Sequence, residues 1–134
     1  MLSVLTAGSI MTDHMVTIHQ DASIDDAIDL ILTHEVSGLP VVDDDNRLVG
    51  VITEFALLAV AYDQKIKDQL VSQHMTREII SVDPEDVLGR VADLCIVHRV
   101  RRLPVMKDGK LLGLIARRDV LRAIRGAAVS ACLG

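Results

Sequence analysis

The run His34-Glu35-Val36-Ser37-Gly38-Leu39-Pro40-Val41-Val42 returns at an offset of 64 as His98-Arg99-Val100-Arg101-Arg102-Leu103-Pro104-Val105-Met106, with His, Val, Leu, Pro and Val keeping their places. The match extends outward in both directions. Upstream, at the same offset, Met11-Thr12 faces Met75-Thr76, Thr17-Ile18 faces Ser81-Val82, Asp21 faces Glu85, Ile24 faces Leu88, Ile28 faces Ala92 and Ile31 faces Cys95. Downstream, Asp43-Asp44-Asp45-Asn46 faces the shorter Lys107-Asp108-Gly109, after which Gly50 meets Gly113 at an offset of 63. Two copies of one unit account for most of the chain, and such self-similarity has to be read before any element is assigned.

Within a copy the hydrophobic periods are clear. Ile24, Ala27, Ile28, Ile31 and Leu32 recur at helical spacing, while Asp25, Asp26 and Asp29 fall on the opposite face. Ser23 is placed to cap this helix, and acids in its first turn suit the positive end of the helix dipole. Leu39–Val42 and Leu48–Ile52 are short runs rich in β-branched residues around an Asp/Asn turn, which predicts a hairpin. A second helix follows over about Glu54–Tyr62. Copy two repeats the plan: a helix over about Asp86–His98, strands at Leu103–Met106 and Lys110–Ile115, and a helix over about Arg117–Gly126. Each copy opens with an extended piece, Val16–Ile18 or Ile79–Val82.

The expected fold class is α+β, with α/β-like character: two β-α-β-β-α repeats related by a pseudo-twofold axis, their sheets face to face with flanking helices. One such unit leaves a sheet face uncovered and is marginal alone, whereas two can bury those faces together around a cleft. The expected division is an N-terminal segment 1–7, repeat one 8–62, a partly helical linker 63–73, repeat two 74–126 and a tail 127–134.

Composition bounds the function. With 134 residues there is room for one compact domain or two small subdomains. Mean hydropathy is +0.37, yet the apolar run Phe55–Ala61 is far too short to span a bilayer of about 30 Å. One Phe, one Tyr and no Trp leave no stacking platform for a nucleic-acid strand. The net charge of −5 also disfavours a phosphate-backbone binder. That charge is unevenly spread, since Lys and Arg concentrate in the second half and acids in the first. Cys95 and Cys132 form no disulfide framework and no leader-like segment opens the chain, so a cytoplasmic location is expected.

The order Met-Thr, short strand, amphipathic helix, Leu-Pro-Val-Val or Leu-Pro-Val-Met, turn, and Gly-(Val/Leu)-Ile leading into a helix, twice over, resembles a tandem cystathionine-β-synthase (CBS) domain pair. The resemblance covers about residues 8–126. It implies a regulatory or sensor module binding an adenosyl ligand, of the AMP, ADP, ATP or S-adenosylmethionine class, in the cleft between repeats, with no obligatory cofactor. It also implies a homodimer and a separate effector enzyme or transporter. The alternative is a ligand-free homodimerisation or protein-docking module with degenerate nucleotide sites.

The family's ribose motif is Gly-hydrophobic-hydrophobic-(Thr/Ser)-x-x-Asp, in which the carboxylate accepts the ribose hydroxyls and the helix N-terminus faces the anion. Each copy here holds half of it. Gly50-Val51-Ile52-Thr53-Glu54-Phe55-Ala56 keeps Thr53 and loses the Asp. Gly113-Leu114-Ile115-Ala116-Arg117-Arg118-Asp119 keeps Asp119 and loses the hydroxyl. Alanine offers no acceptor, whereas water or backbone can replace a hydroxyl, so the Asp119 site is favoured. By resemblance that site takes Arg101 and Arg102 toward the phosphates, with Leu114, Ala116, Arg117 and Arg118 around them. The opposite copy supplies Asp13, His14, Met15, Val16 and Ser37. Thr53, Thr76 and Ile80 mark a weaker second site, and Met15 and Met75 are placed to touch an adenine.

Each of these residues also has a plainer reading. Asp119 in the first turn of a helix is stabilised by the dipole without a ligand, and Thr53 is a natural N-cap. Arg101 and Arg102 fit a solvated pair or a partner contact. Arg117 and Arg118 fit a solvated helix surface, although cations at a helix N-terminus are unfavourable unless an anion is near. His34 and His98 fall at helix C-termini and suggest no metal. Asp43–Asp45 lacks the spacing of a calcium loop and reads as a solvated turn. Cys95 lies on a core face, and Cys132 lies in an Ala-rich tail. No nucleophile with a positioned base, phosphate-binding loop or catalytic carboxylate pair is present, so no enzyme activity is expected.

Overall fold

The computed structural model describes residues 5–133, and side chains through residue 127; the side chain of Cys132 lies outside the described residues. In chain order the elements are α1 (Ala7–Ile10), β1 (Ile18–His19), α2 (Ile24–His34), β2 (Gly38–Val42), β3 (Leu48–Thr53) and α3 (Glu54–Val60). A 3₁₀ turn (Val71–Gln73), α4 (Leu88–His98), β4 (Arg102–Lys107), β5 (Lys110–Ala116) and α5 (Arg117–Leu133) follow. The architecture is mixed α+β. The chain forms two compact units, one of Val16–Ile79 and one joining residues 5–15 to 80–133.

In the unit Val16–Ile79, β1 pairs parallel with β2 and β2 pairs antiparallel with β3. Helix α2 starts where the sequence places it. The Ser23 side chain accepts the Asp26 N–H at 3.0 Å, and Asp26 Oδ2 accepts the Ser23 N–H at 3.3 Å, a reciprocal capping box. Ile18, Ile24, Ala27, Ile31, Leu39, Val41, Ile52, Leu57 and Val71 form its buried core. Each fully buried aliphatic side chain contributes roughly 1.5–3 kcal/mol of transfer free energy.

The second unit is built on the same plan around Ala7, Val82, Val91, Leu103, Val105, Ile115 and Val120. Its sheet differs from the expected three strands. The opening strand shrinks to a single parallel bridge, Val82 to Val105, beside the β4–β5 hairpin. The cause lies two residues on. In copy one the Gln20 N–H donates to the Val42 carbonyl at 3.0 Å and carries the ladder forward. The repeat-equivalent residue is Pro84, which has no N–H to donate. At the far end α5 continues through Gly126 to Leu133, past the expected stop, because Ala-rich sequence follows and no left-handed cap or proline intervenes.

The opening segments cross between copies. Thr12 exchanges two backbone hydrogen bonds with Leu114, each 2.9 Å, so the Met-Thr that begins repeat one extends the sheet of repeat two. Thr76 does the same with Val51, at 2.9 and 3.0 Å, placing the Met-Thr of repeat two on the sheet of repeat one. The end of the expected linker joins in. Gln69 and Lys67 carbonyls accept the N–H groups of Ile24 and Asp25 at the start of α2, at 2.9 and 3.0 Å, as the Leu5 carbonyl accepts that of Leu88 at the start of α4, at 2.9 Å. These bonds satisfy helix N-terminal amides that have no partner within the helix. Among the described residues, no helix is long and apolar enough to cross a membrane.

Candidate functional site

The β4–β5 hairpin draws two stretches of sequence together. Arg102 pairs with Ala116, and the Arg117 N–H donates to the Arg101 carbonyl at 2.9 Å. The residues before Leu103 and those after Ile115 therefore lie side by side where β5 runs into α5. Leu114, two residues earlier on β5, holds Thr12 in its reciprocal bridge, so Asp13, His14 and Met15 continue from that same edge. Asp13 and His14 are exposed, with their carboxylate and imidazole 4.0 Å apart, and Met15 is half-buried.

Asp119 stands in the first turn of α5. Its Oδ2 accepts the Ala116 N–H at 3.3 Å and its Oδ1 accepts from the Arg122 guanidinium at 2.9 Å. Its side chain is 30% exposed, so solvent reaches the carboxylate. In the other unit Thr53 Oγ1 accepts the Ala56 N–H at 3.2 Å. The two half-motifs thus divide one capping box: copy one keeps the hydroxyl at the N-cap, and copy two keeps the acid three residues later that reaches back to the N-cap amide.

Of the residues singled out from the sequence, Arg101, Arg102, Leu114, Ala116, Arg117, Arg118, Asp119 and Asp13–Met15 belong to one unit. Arg101, Arg117 and Arg118 are exposed and Arg102 is half-buried. Arg118 lies about 100° around the helix from Asp119. Val16 and Ser37 belong to the other unit, where Val16 packs against the core and the Ser37 carbonyl accepts the Glu54 N–H at 2.9 Å. Thr53 and Thr76 share that unit on the paired strand β3 and its neighbour, whereas Ile80 packs against the core of the first. Two participants were not among the candidate site residues of the sequence. Arg122 is readable as an i, i+3 partner of Asp119, and Thr12 is visible only as half of a repeated Met-Thr pair.

The remaining candidates take structural roles. Asp43 Oδ1 accepts the N–H groups of Asp45 and Arg47, each at 2.9 Å, and so holds its turn. His34 and His98 are the last residues of α2 and α4, followed by Glu35 and Arg99 in the left-handed conformation. Burial pushes the Cys95 thiol up from its ordinary range, and the Arg117 guanidinium offsets part of this. Among the described residues, no cluster of three or more His, Cys, Asp or Glu could hold a metal ion.

A family model described as the CBS domain matches residues 7–63 and 71–126. The chain is similar to the inosine-5′-monophosphate dehydrogenase of Nitrosopumilus maritimus, 36% identical over 89% of this chain and 24% of that protein. It spans less than half the length of the first curated relatives it matches, 24% to 41% of them. Among solved structures it is similar to CBSX2 in complex with AMP, with a TM-score of 0.81, 35% identity and coverage of 90% of this chain and 96% of that one. It is also similar to the CBS domain pair of protein MJ0100 in complex with 5′-methylthioadenosine and S-adenosylmethionine, with a TM-score of 0.78, 25% identity and coverage of 92% and 98%.

Proposed function

The chain belongs to the CBS-domain family, and from that premise we propose that it is a non-catalytic regulatory module that binds an adenosyl ligand at Asp119. The ligand is of the AMP, ADP, ATP or S-adenosylmethionine class. The observation that carries this reading is the juxtaposition of a solvent-reached carboxylate in the first turn of α5 with the Arg101-Arg102 pair at the start of β4, across the Arg102–Ala116 register. A carboxylate suits a ribose diol, and paired guanidiniums suit phosphate oxygens or a carboxylate. The α5 N-terminus adds a favourable field for an anion. The AMP and S-adenosylmethionine complexes of similar CBS pairs support the ligand class. In this reading the module works in the cytoplasm as a homodimer that conveys ligand occupancy to a separate effector enzyme or transporter.

Thr53, Thr76 and Ile80 mark a second, weaker site. It lacks a carboxylate at Ala56 and has Ser37 and Gly38 where the first site has arginines.

One observation favours the alternative, a docking module with decayed sites: both oxygens of Asp119 already accept hydrogen bonds, from the Ala116 N–H at the end of β5 and from Arg122 on α5. Thermal unfolding with AMP, ADP, ATP and S-adenosylmethionine separates the two, because a ligand that binds only the folded chain stabilises it by about 2.7 kcal/mol at 100 times its Kd. At least one of the four raises the Tm of the native chain, and Asp119→Ala and Arg102→Ala remove the ligand-dependent part of the rise. No shift with any of the four, or an undiminished shift in Asp119→Ala, overturns the assignment.

A further inference from the structure

Met11 and Met75 hold the same place in the two copies, each one residue before the threonine that bridges to the sheet of its unit. Each thioether sulfur lies over a glycine α-carbon, in the space that a β-carbon on Gly113 or Gly50 would fill, with the Thr12 or Thr76 carbonyl oxygen beside it. Met11 packs against the core of Ala7, Val82 and Val91, and Met75 against the core of Ile18, Ile24 and Val71. Both methionines are half-buried, so solvent reaches part of each residue. The backbone groups around each sulfur are already engaged. Thr12 and Leu114 bond to each other, as do Thr76 and Val51, while the Met11 and Met75 N–H groups donate to the Ala7 and Val71 carbonyls at 3.0 and 2.9 Å. A thioether needs no donor in such a place. A sulfoxide oxygen is a strong acceptor and would meet only an α-carbon and a carbonyl oxygen there.

We propose that Met11 and Met75 are oxidation sites whose sulfoxides unlatch the two bridges. The oxidant is hydrogen peroxide. A sulfur lone pair attacks one peroxide oxygen, the O–O bond breaks as the S–O bond forms, and the departing oxygen takes both protons and leaves as water. Sulfur loses two electrons and the peroxide gains them. The sulfoxide then either stays over the glycine with its oxygen against a carbonyl oxygen, or swings out and gives up its core contact. Both outcomes weaken the closed bridge, and a sulfoxide reductase supplied with a thiol reductant restores it. At Met11 the release frees Asp13–Met15 from the Leu114 edge. The inference goes beyond ligand sensing and does not rest on it.

Amide hydrogen exchange on the full chain, read residue by residue, tests the latch. Met11→Gln imitates the sulfoxide without oxidant: the Thr12 and Leu114 amides exchange about tenfold faster, while those of Thr76 and Val51 hold their rates. Met75→Gln gives the mirror result. Hydrogen peroxide on the native chain, with the added oxygens located by peptide mass spectrometry, speeds both bridges. Met11→Leu with Met75→Leu keeps the apolar contacts and holds both bridges slow in the same peroxide. Three results each overturn the inference: Met11 and Met75 staying unoxidised while Met15 and Met106 take up oxygen, unchanged exchange in the oxidised chain, or equal acceleration of both bridges in a single Gln variant. Should a Gln variant lose its circular dichroism spectrum, the peroxide-treated native chain against the double Leu variant decides.

Discussion

Gly113 lies directly beneath Met11: a methyl group on its α-carbon would sit 2.6 Å from the Met11 sulfur and 2.7 Å from the Thr12 carbonyl oxygen. Gly50 repeats the arrangement with Met75 and Thr76, at the same 2.6 and 2.7 Å. The sulfur could swing away, but the carbonyl belongs to the backbone that bridges to β5 or β3. Gly113→Ala and Gly50→Ala therefore each destabilise by about 1–3 kcal/mol, seen as a lower midpoint in urea unfolding. Gly126→Ala is the contrast: nothing lies within 4 Å of its added methyl and it is inside α5, so it gains about 0.5–1 kcal/mol.

The divided capping box can be completed. Ala116→Thr supplies the N-cap hydroxyl missing ahead of Asp119 and stabilises by about 0.5–1 kcal/mol, whereas Thr53→Ala removes the existing cap of α3 and costs about 1 kcal/mol. Differential scanning calorimetry resolves both. Under the proposed function, Ala116→Thr also enlarges the nucleotide-dependent rise in Tm and Thr53→Ala leaves it unchanged.

Arg122 competes for Asp119. Its own side chain is 70% exposed, so the ion pair itself contributes about 0–1 kcal/mol. Arg122→Ala barely alters the Tm of the free protein; under the proposed function it also releases Oδ1 for a ribose hydroxyl and tightens AMP binding in a calorimetric titration. Weaker binding in this variant would place Arg122 on the ligand instead.

Glu35 and Arg99 close α2 and α4 with φ of 54° and 52°. Side chains adopt this left-handed geometry at a cost of roughly 1–2 kcal/mol, which glycine avoids. Glu35→Gly and Arg99→Gly each raise stability by about 1 kcal/mol in chemical unfolding.

Cys95 gives stability a slope at alkaline pH. Burial raises its pKa in the folded chain above that of the unfolded chain. The stabilisation is complete below the unfolded thiol value of about 8.5 and is lost as pH rises through the higher folded value. The Tm of the native chain declines across that window, and Cys95→Ala removes this part of the decline.

Much of the fold was legible because its signals are local. Helical spacing at Ile24, Ala27 and Ile31, the capping pair Ser23 and Asp26, and the β-branched runs around Pro40 and Pro104 each act within a few residues, and the elements formed there. The missing strand of repeat two was also written locally, in Pro84, but it is recognisable only once Gln20 is seen to need its N–H. The candidate site was legible in part: the hairpin that joins Arg102 to Ala116 follows from its turn, whereas the bonds of Asp119 to both Ala116 and Arg122 depend on side-chain geometry.

By itself the sequence determined that one unit is written twice, that each copy keeps half of a helix-start motif, and that positive charge gathers in the second. Tertiary structure alone decided which sheet each Met-Thr segment serves. Met11-Thr12 and Met75-Thr76 are the same residues, Gly50 and Gly113 are the same cradle, and pattern cannot distinguish the two pairings. The choice rests on chain closure and packing over long separations, which bring Thr12 to Leu114 and Thr76 to Val51 and so carry the first repeat's Asp13–Met15 into the unit that holds Asp119.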